Sequence, residues 1–488
     1  MSDASSIREA TRRSAFIRPE ISIGGAWRKA DSGRTIAVDD PFTGETIGEI
    51  ADAGTAETEA AVAAAQEAFS PWAARPAIER GRLLRRWHDA IIANKEDLAR
   101  LITLESGKAI KEARGEVDYG AAFVEFYTEE ASRANGEIIP AHAPGRQLLA
   151  TREPVGVCAA ITPWNFPIAM LTRKVAPALA AGCTMVAKPA QQTPFSALAL
   201  AMLAQEVGIP GGVFNVVTGQ AAAIGAVLTG SATVRKLSFT GSTGVGARLM
   251  QACAGTIKRV SMELGGNAPL LIFDDADLET AVETAMVAKF RNAGQSCIAA
   301  NRIYVQSGIH DRFVAAFALR TAALKLGDGF DEATDVGPLI EPSAVAKVNA
   351  HLENALAGGA TLLAGGKGEG RLMPPTLLAG VAHDAQLSCE ETFGPLAAVM
   401  RFDSFEEAIR LANDTPFGLA SYVCSQDPAT IARAGRQIES GMVGINTGFI
   451  STAWVPFGGV KQSGVGKEGS RLGLDEYLNV KYLCQAGL

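Results

Sequence analysis

The sequence has no Cys-x-x-Cys pair, and its seven cysteines (Cys158, Cys183, Cys253, Cys297, Cys389, Cys424, Cys484) are odd in number and scattered. None of the five histidines falls at metal-ligand spacing from a cysteine. No disulfide framework and no metal site is therefore expected, and a reducing compartment is the simplest setting. Surplus positive charge is missing too. Lysine and arginine total 45 against 52 acidic residues, a net charge of −7, which argues against nucleic acid as a partner. The longest uncharged stretch of interest, 154–172, carries three prolines and Asn165, so it cannot span a membrane. The N-terminus has no apolar core of the signal-peptide kind. Arg8, Arg12, Arg13 and Arg18 faintly echo a transit peptide, but Asp3, Glu9 and Glu20 oppose it. A cytoplasmic location is expected, with the mitochondrial matrix left open. There is no internal repeat and no long low-complexity tract.

What is present is a globular mixture, 488 residues with 48% hydrophobic and 20% charged, long enough for two to four domains with large cores. Residues 55–130 read as helical, with apolar residues at three- and four-residue steps in 57–69 and 78–94. From 154 onward β-rich runs appear at 155–161, 183–188, 213–217, 236–240 and 259–264, separated by helix-length apolar stretches such as 168–180 and 195–207. That alternation implies right-handed crossovers and a parallel sheet. Ligands bind such sheets beyond the strands' carboxyl ends, where the loops after Ile161, Lys188 and Thr240 would lie. Strands at 302–306, 397–402 and 442–445 suggest a second α/β lobe.

Five local features carry chemistry, each with an ordinary alternative. The loop 240–246 (TGSTGVG) joins a strand to a helix, where backbone amides can meet a phosphate. Its glycines fall as GxxGxG and Ala247 stands where a P-loop needs lysine, so a plain turn remains open. Lys188 ends a strand and could bind ribose hydroxyls or a 2′-phosphate, or simply be solvated. Cys297 sits among Asn, Gly, Gln and Ser, a setting that suits a reactive thiolate, whereas the other six cysteines read as buried structural thiols. Glu263 closes an apolar strand and is either paired or a base of raised pKa. Asn165 lies between Pro163 and Pro167, as a rigid amide donor or a turn residue.

Together and in order, the segments 163–167 (PWNFP), 188–190 (KPA), 239–246 (FTGSTGVG), 263–269 (ELGGNAP), 290–297 (FRNAGQSC), 390–395 (EETFGP) and 456–459 (PFGG) resemble the aldehyde dehydrogenase superfamily. Within it the runs 172–174, 290–292 and 448–451 are most similar to succinate-semialdehyde dehydrogenases. The resemblance implies a Rossmann-like cofactor domain (1–132 and 153–263), an α/β catalytic domain (264–465) and a small β oligomerisation arm (133–152 and 466–488), assembled as a homodimer or homotetramer. It implies that Cys297 attacks the aldehyde carbon, that Asn165 and the Cys297 N–H stabilise the oxyanion, and that hydride passes to a nicotinamide to leave a thioester. Glu263 then activates the hydrolytic water, with Lys174 and Glu468 on its proton path. Lys188 and Glu391 would hold the riboses, Phe393 the nicotinamide side, and Gly241, Ser242 and Gly246 the pyrophosphate, with Thr162, Pro163, Trp164, Gln191 and Leu264 completing the cofactor site.

Two further readings depend on that resemblance. Gln191 stands where an acid would select NAD; being neutral but long, it is expected to admit NADP while leaving NAD usable. Arg173, Arg291 and Ser451 match the anchors of an ω-carboxylate, and the alternative for each arginine is a salt bridge to a nearby acid. Succinate semialdehyde is the expected substrate, with glutarate semialdehyde or another non-acylating aldehyde oxidation as the alternative. Glu263 argues against a CoA-acylating enzyme, and the lack of a neighbouring histidine argues against a cysteine hydrolase. Cys297-Ile298-Ala299 lacks a second cysteine two residues on, so no resolving thiol is expected beside the nucleophile.

Overall fold

The computed structural model describes residues 3–487, built around sheets of eight, seven, three and two strands. The centre of the largest is parallel, with Arg259–Glu263, Val234–Thr240, Val157–Ile161, Thr184–Lys188 and Phe214–Val216 side by side. These strands read as near-continuous apolar runs because helices cover both faces of the sheet. Val157–Ile161 lies in the middle, with the next strand in sequence on one side and a later one on the other. The loop that follows it therefore occupies a topological switch point. Register pairs Ile161 with Lys188 and with Phe239, and Thr240 with Glu263. Four chemistry-bearing segments thus reach one sheet edge together.

The seven-stranded sheet orders Thr361–Ala364, Thr376–Ala379, Leu396–Phe402, Ala300–Gln306, Ala268–Ile272, Ala420–Cys424 and Met442–Ile445. The sequence pattern finds three of these seven and misses four, among them the inner strand Ala268–Ile272. Its Pro269 reads against a central strand; the register shifts between Ala268 and Pro269, so the proline sits at an irregularity of the ladder. Buried Arg302 ties this sheet together, donating to Asn267 O and to Leu411 O and Ala412 O near the end of helix Phe405–Asn413.

The three-stranded sheet joins Glu137–Ile139, Arg146–Pro154 and Leu478–Ala486. Before reaching it the chain returns to the first lobe: Gly464–Val465 pairs with Arg259–Glu263, and helix Ser470–Asp475 packs on Ile110–Glu130 and Ala169–Ala181. The boundary read at 465/466 falls inside this returning segment, because Glu468 is drawn to cations of the first lobe. The N-terminal helix Asp3–Arg12 is also part of the fold, since Arg8 pairs with Asp40 at 2.7 Å and Asp328 at 2.5 Å. Among the described residues no helix is long and apolar enough to cross a membrane.

Two of the six cysteines expected to be buried are exposed. Cys389 ends the short helix Gln386–Cys389, and Cys484 lies on the arm strand, which is buried only at Leu478.

The first lobe's core centres on Trp87, fully buried, its Nε1 donating to Leu200 O at 3.1 Å and its ring against Phe214. Trp87→Ala leaves a cavity and is expected to lower stability by about 3–5 kcal/mol, read as a shift of the denaturant midpoint at unchanged slope.

Candidate active site

A cavity of about 280 Å³ opens between the two large sheets, and Cys297 lines it. Helix Leu278–Phe290 brings the chain there, and then Asn292, Ala293 and Gly294 all take positive φ (53°, 54° and 69°). Left-handed backbone is uncommon for asparagine and costly for alanine, so surrounding bonds must hold it. Glu112 accepts from Asn292 N, while Asn292 Nδ2 donates to Asn165 O and Gln295 O. The glycines of two motifs let this turn pack. A Cβ on Gly294 would lie 2.2 Å from Gly394 O, and one on Gly266 would lie 2.4 Å from Cys297 O.

Asn165 is buried and lines the same cavity. Its Nδ2 gives one hydrogen to Gln295 O at 3.0 Å, which leaves a second donor, and its Oδ1 has no partner. Glu263 also lines the cavity, and neither of its carboxyl oxygens has a hydrogen-bond partner. Burial pushes its pKa well above the usual value, and Glu468 adds to the rise against the opposing cations Arg173, Lys174 and Lys467. Cys297 departs from the reactive thiolate expected of its polar sequence neighbours. Burial raises its pKa to about 12, helped by Glu391 and Glu263 and opposed by Arg173. That shift favours the thiol form, because the residues beside it in sequence are not those that surround it in space. No histidine and no second cysteine lines this cavity among the described residues.

Lys174 and Glu468 lie behind the cavity rather than in its wall. Lys174 is fully buried, donates to Thr240 Oγ1 at 2.7 Å and pairs with Glu468. Arg173 lines the cavity and is also committed to Glu468, with Nε 2.7 Å from Oε2. That contact lies off the N–H direction, so Nε and Nη2 make no hydrogen bond. The salt-bridge alternative is thus realised for Arg173. Arg291 differs: it lines the cavity with its guanidinium over Phe449, Phe166 and Tyr119 at 4.9, 5.2 and 6.0 Å. Ser451, in the same wall, hydrogen-bonds Tyr119.

The cofactor candidates fall on the neighbouring strand ends. Pro163, Trp164, Gly241, Ser242 and Leu264 line the cavity, as do Glu391 and Phe393. Phe393 has φ of 55° and meets Trp164 edge-on, ring centres 5.5 Å apart. Thr162, Lys188, Gln191 and Gly246 lie outside the cavity wall. Thr162 N donates to Lys188 O, Gln191 Nε2 to Gly219 O and Gly246 N to Ser242 O. Lys188 is buried and reaches only Pro189 O, and burial lowers its pKa to about 8. Glu391 accepts from Gly266 N, and burial raises its pKa to about 7. Helix Thr243–Cys253 starts at Ser242 with no side-chain cap. Lys188, without a counter-ion among the described residues, and an uncapped helix start at the first sheet's edge, with the Glu391 carboxylate reaching over from the second lobe, fit a dinucleotide's phosphates and riboses.

Sequence reasoning passed over helix Ile110–Glu130. Glu112, Glu116, Tyr119, Phe123 and Tyr127 share one face at helical spacing, and each meets a different part of the site. Glu112 holds Asn292 N, Glu116 takes Ile168 N and Tyr119 bonds Ser451. Phe123 lies beneath Arg173, and Tyr127 donates to Ser470 O. The signal was that spacing, hidden because acids and aromatics on an amphipathic helix look ordinary.

Residues 27–483 match the aldehyde dehydrogenase family. The chain is 54% identical to the glutarate-semialdehyde dehydrogenase of Pseudomonas putida, covering 96% of this chain and 98% of that protein. It is 52% identical to the NADP(+) succinate-semialdehyde dehydrogenase of Escherichia coli, again over 96% and 98%. The crystal structure of an Escherichia coli NADP-dependent enzyme superposes with a TM-score of 0.96 at 51% identity, covering 96% of this chain and 98% of that one. With this agreement along nearly its whole length, the chain belongs to the aldehyde dehydrogenase family.

Proposed function

We propose that the cavity oxidises an aldehyde bearing a carboxylate at its far end, of the succinate- or glutarate-semialdehyde class, to the corresponding diacid. One observation carries this reading: Arg291, stacked among three aromatic rings, faces the same cavity as Cys297. Arginine binds carboxylates through two parallel N–H bonds, and the Tyr119–Ser451 pair beside it leaves one hydroxyl donor free. Relatives named for both semialdehydes support the class. The distance from Cys297 to Arg291 selects the chain length.

In this reading Cys297 Sγ bonds to the aldehyde carbon, and its proton leaves toward Glu263 or water. The second N–H of Asn165 and the Cys297 N–H meet the developing oxyanion; such donors, fixed in advance, are each worth several kcal/mol. Lys188, Glu391 and the uncapped helix start would hold NAD or NADP, which would supply the hydride acceptor when bound. Glu263 then takes a proton from the water that cleaves the thioester, and Lys174 with Glu468 passes that proton away. Trp164 and Phe393 wall off the cofactor side, with Thr162, Pro163, Leu264 and Gly246 shaping the strand ends that support it. We assign residues 1–132 and 153–263 to cofactor binding, and 264–465 to the catalytic domain except for the returning strand. The arm exposes Ile138, Val480, Tyr482 and Leu483, and we assign it to pairing with a second copy in a dimer or tetramer.

Three measurements test this. Arg291→Gln is expected to lower kcat/KM for succinic or glutaric semialdehyde by about 1.5–3 kcal/mol, roughly 10- to 150-fold, and to leave propanal nearly untouched. Arg173→Gln is expected to impair both substrate types alike, since Arg173 also holds Glu468. Equal losses from Arg291→Gln would remove the carboxylate reading.

Glu263 must be ionised to act as a base, and its pKa is raised. Activity is therefore expected to rise with pH through that raised value and to fall below it. Glu263→Gln should abolish this limb and cost roughly 10²–10⁴-fold in kcat. A wild-type pH profile in that variant would exclude Glu263 as the base.

Gln191 carries no charge to repel a 2′-phosphate, and its amide is tied to Gly219 O. NADP is expected to be accepted, with NAD also usable. A preference for NAD above roughly a hundredfold in kcat/KM, about 2.7 kcal/mol, would overturn this.

A further inference from the structure

We propose that the buried pair Lys108–Glu116, which lies outside the cavity wall, is a positioning device for the Asn165 amide. The inference rests on the reading of Asn165 as the oxyanion donor. Both side chains are sealed from solvent, at 1% and 0% exposure. Burying an ion pair costs more than the attraction returns unless further bonds satisfy both partners, and apolar replacements of equal volume are often neutral or stabilising. A pair of this kind needs a reason beyond stability.

Its contacts supply one. Apart from Glu116, the Lys108 ammonium donates to Asn165 O at 2.8 Å and sits 4.0 Å from the centre of the Phe166 ring. Apart from Lys108, the Glu116 carboxylate accepts from Ile168 N at 3.0 Å and Ala169 N at 3.4 Å. Beyond their own ion pair, the hydrogen bonds and ring contact of the two side chains thus fall on residues 165–169, the loop that carries the amide and the start of helix Ala169–Ala181. Lys108 is itself held from the second lobe. The preceding Gly107 has φ of 75°, and a Cβ there would lie 2.6 Å from Pro338; two residues on, Ile110 N donates to Gly329 O. Asn292 Nδ2, from the turn before Cys297, bonds the same Asn165 carbonyl at 3.0 Å. Lys108 and Asn292 therefore fix the Asn165 backbone carbonyl, and through it the side-chain amide, one anchored between the lobes and the other on the nucleophile's own loop. Stabilising an oxyanion depends on donors placed before the charge develops.

A double-mutant cycle tests the proposal, using Lys108→Met/Glu116→Leu, which removes both charges, and Lys108→Met as a second variant. In the wild-type background the double replacement is expected to lower kcat/KM for aldehyde oxidation by about 10²-fold, as for a displacement of order 1 Å. NADPH binding by fluorescence titration should stay unchanged and the melting temperature should be equal or higher. Asn165→Ala alone should cost roughly 10²–10³-fold, and adding the pair replacement to it should cost less than about threefold more. A pair replacement that costs nothing, or equal losses in both backgrounds, overturns the proposal and leaves the reading of Asn165 standing. An Asn165→Ala enzyme with wild-type activity overturns that reading and the proposal with it.

Discussion

Along one face, helix Ile110–Glu130 must satisfy groups contributed by five other stretches of chain. The 3.6-residue repeat brings Glu112, Glu116, Tyr119, Phe123 and Tyr127 into a single stripe. Opposite them lie the nucleophile turn, the amide loop, the Ser451 segment, Arg173 and the Ser470 turn. Arg173 lies within helix Ala169–Ala181 and Ser470 opens helix Ser470–Asp475, whereas the amide loop and the Ser451 segment are irregular; the nucleophile turn and Ser470 hold positive-φ backbone. Their positions are set by a rigid rod as well as by one another, since Asn292 of the nucleophile turn also bonds Asn165 O of the amide loop. Precision of this kind is easier to build on a helix than on loops.

Around that rod the electrostatics are concentrated. Glu263, Glu391 and Cys297 all face one cavity, and each has its acid form favoured by burial. Arg173 opposes the rise at Glu263 and Cys297, Lys174 that at Glu263, and Lys347 and Lys289 that at Glu391; Arg173 and Lys174 both converge on Glu468. The site at rest is therefore less charged than its residue types suggest. Glu468 connects the pieces: it draws the chain back from the second lobe to the first, which is why the strand Gly464–Val465 and helix Ser470–Asp475 belong with the first sheet's side of the molecule.

Much of this was legible wherever chemistry is written in contiguous residues. The alternation of strands and helices from 154 onward, the strand-end positions of Lys188 and Glu263, and the local motif around Cys297 all correspond to elements of the fold. Other features needed three dimensions. The raised pKa of Cys297 comes first from burial and then from Glu391 and Glu263, both distant in sequence. Arg173 could not be told from Arg291 until Glu468 was seen beside it. Pro269 concealed an inner strand, and Cys389 and Cys484 were misjudged because small or apolar sequence neighbours do not bury a residue that ends a short helix or lies on an open strand.

The shared face of helix Ile110–Glu130 also bears on how such a chain can drift in length. Inserting one residue near the middle of a helix turns everything beyond it by about 100°. An insertion between Glu116 and Tyr119 would keep two partners in place and swing the other three away, so no single compensating change could repair it. Side chains on the helix's outer face are free of that restriction and can be exchanged one at a time. Descendants of this sequence are therefore free to vary the outer surface of the helix while its length stays frozen, and a gap falling within 112–127 marks a chain that has abandoned this arrangement of the site.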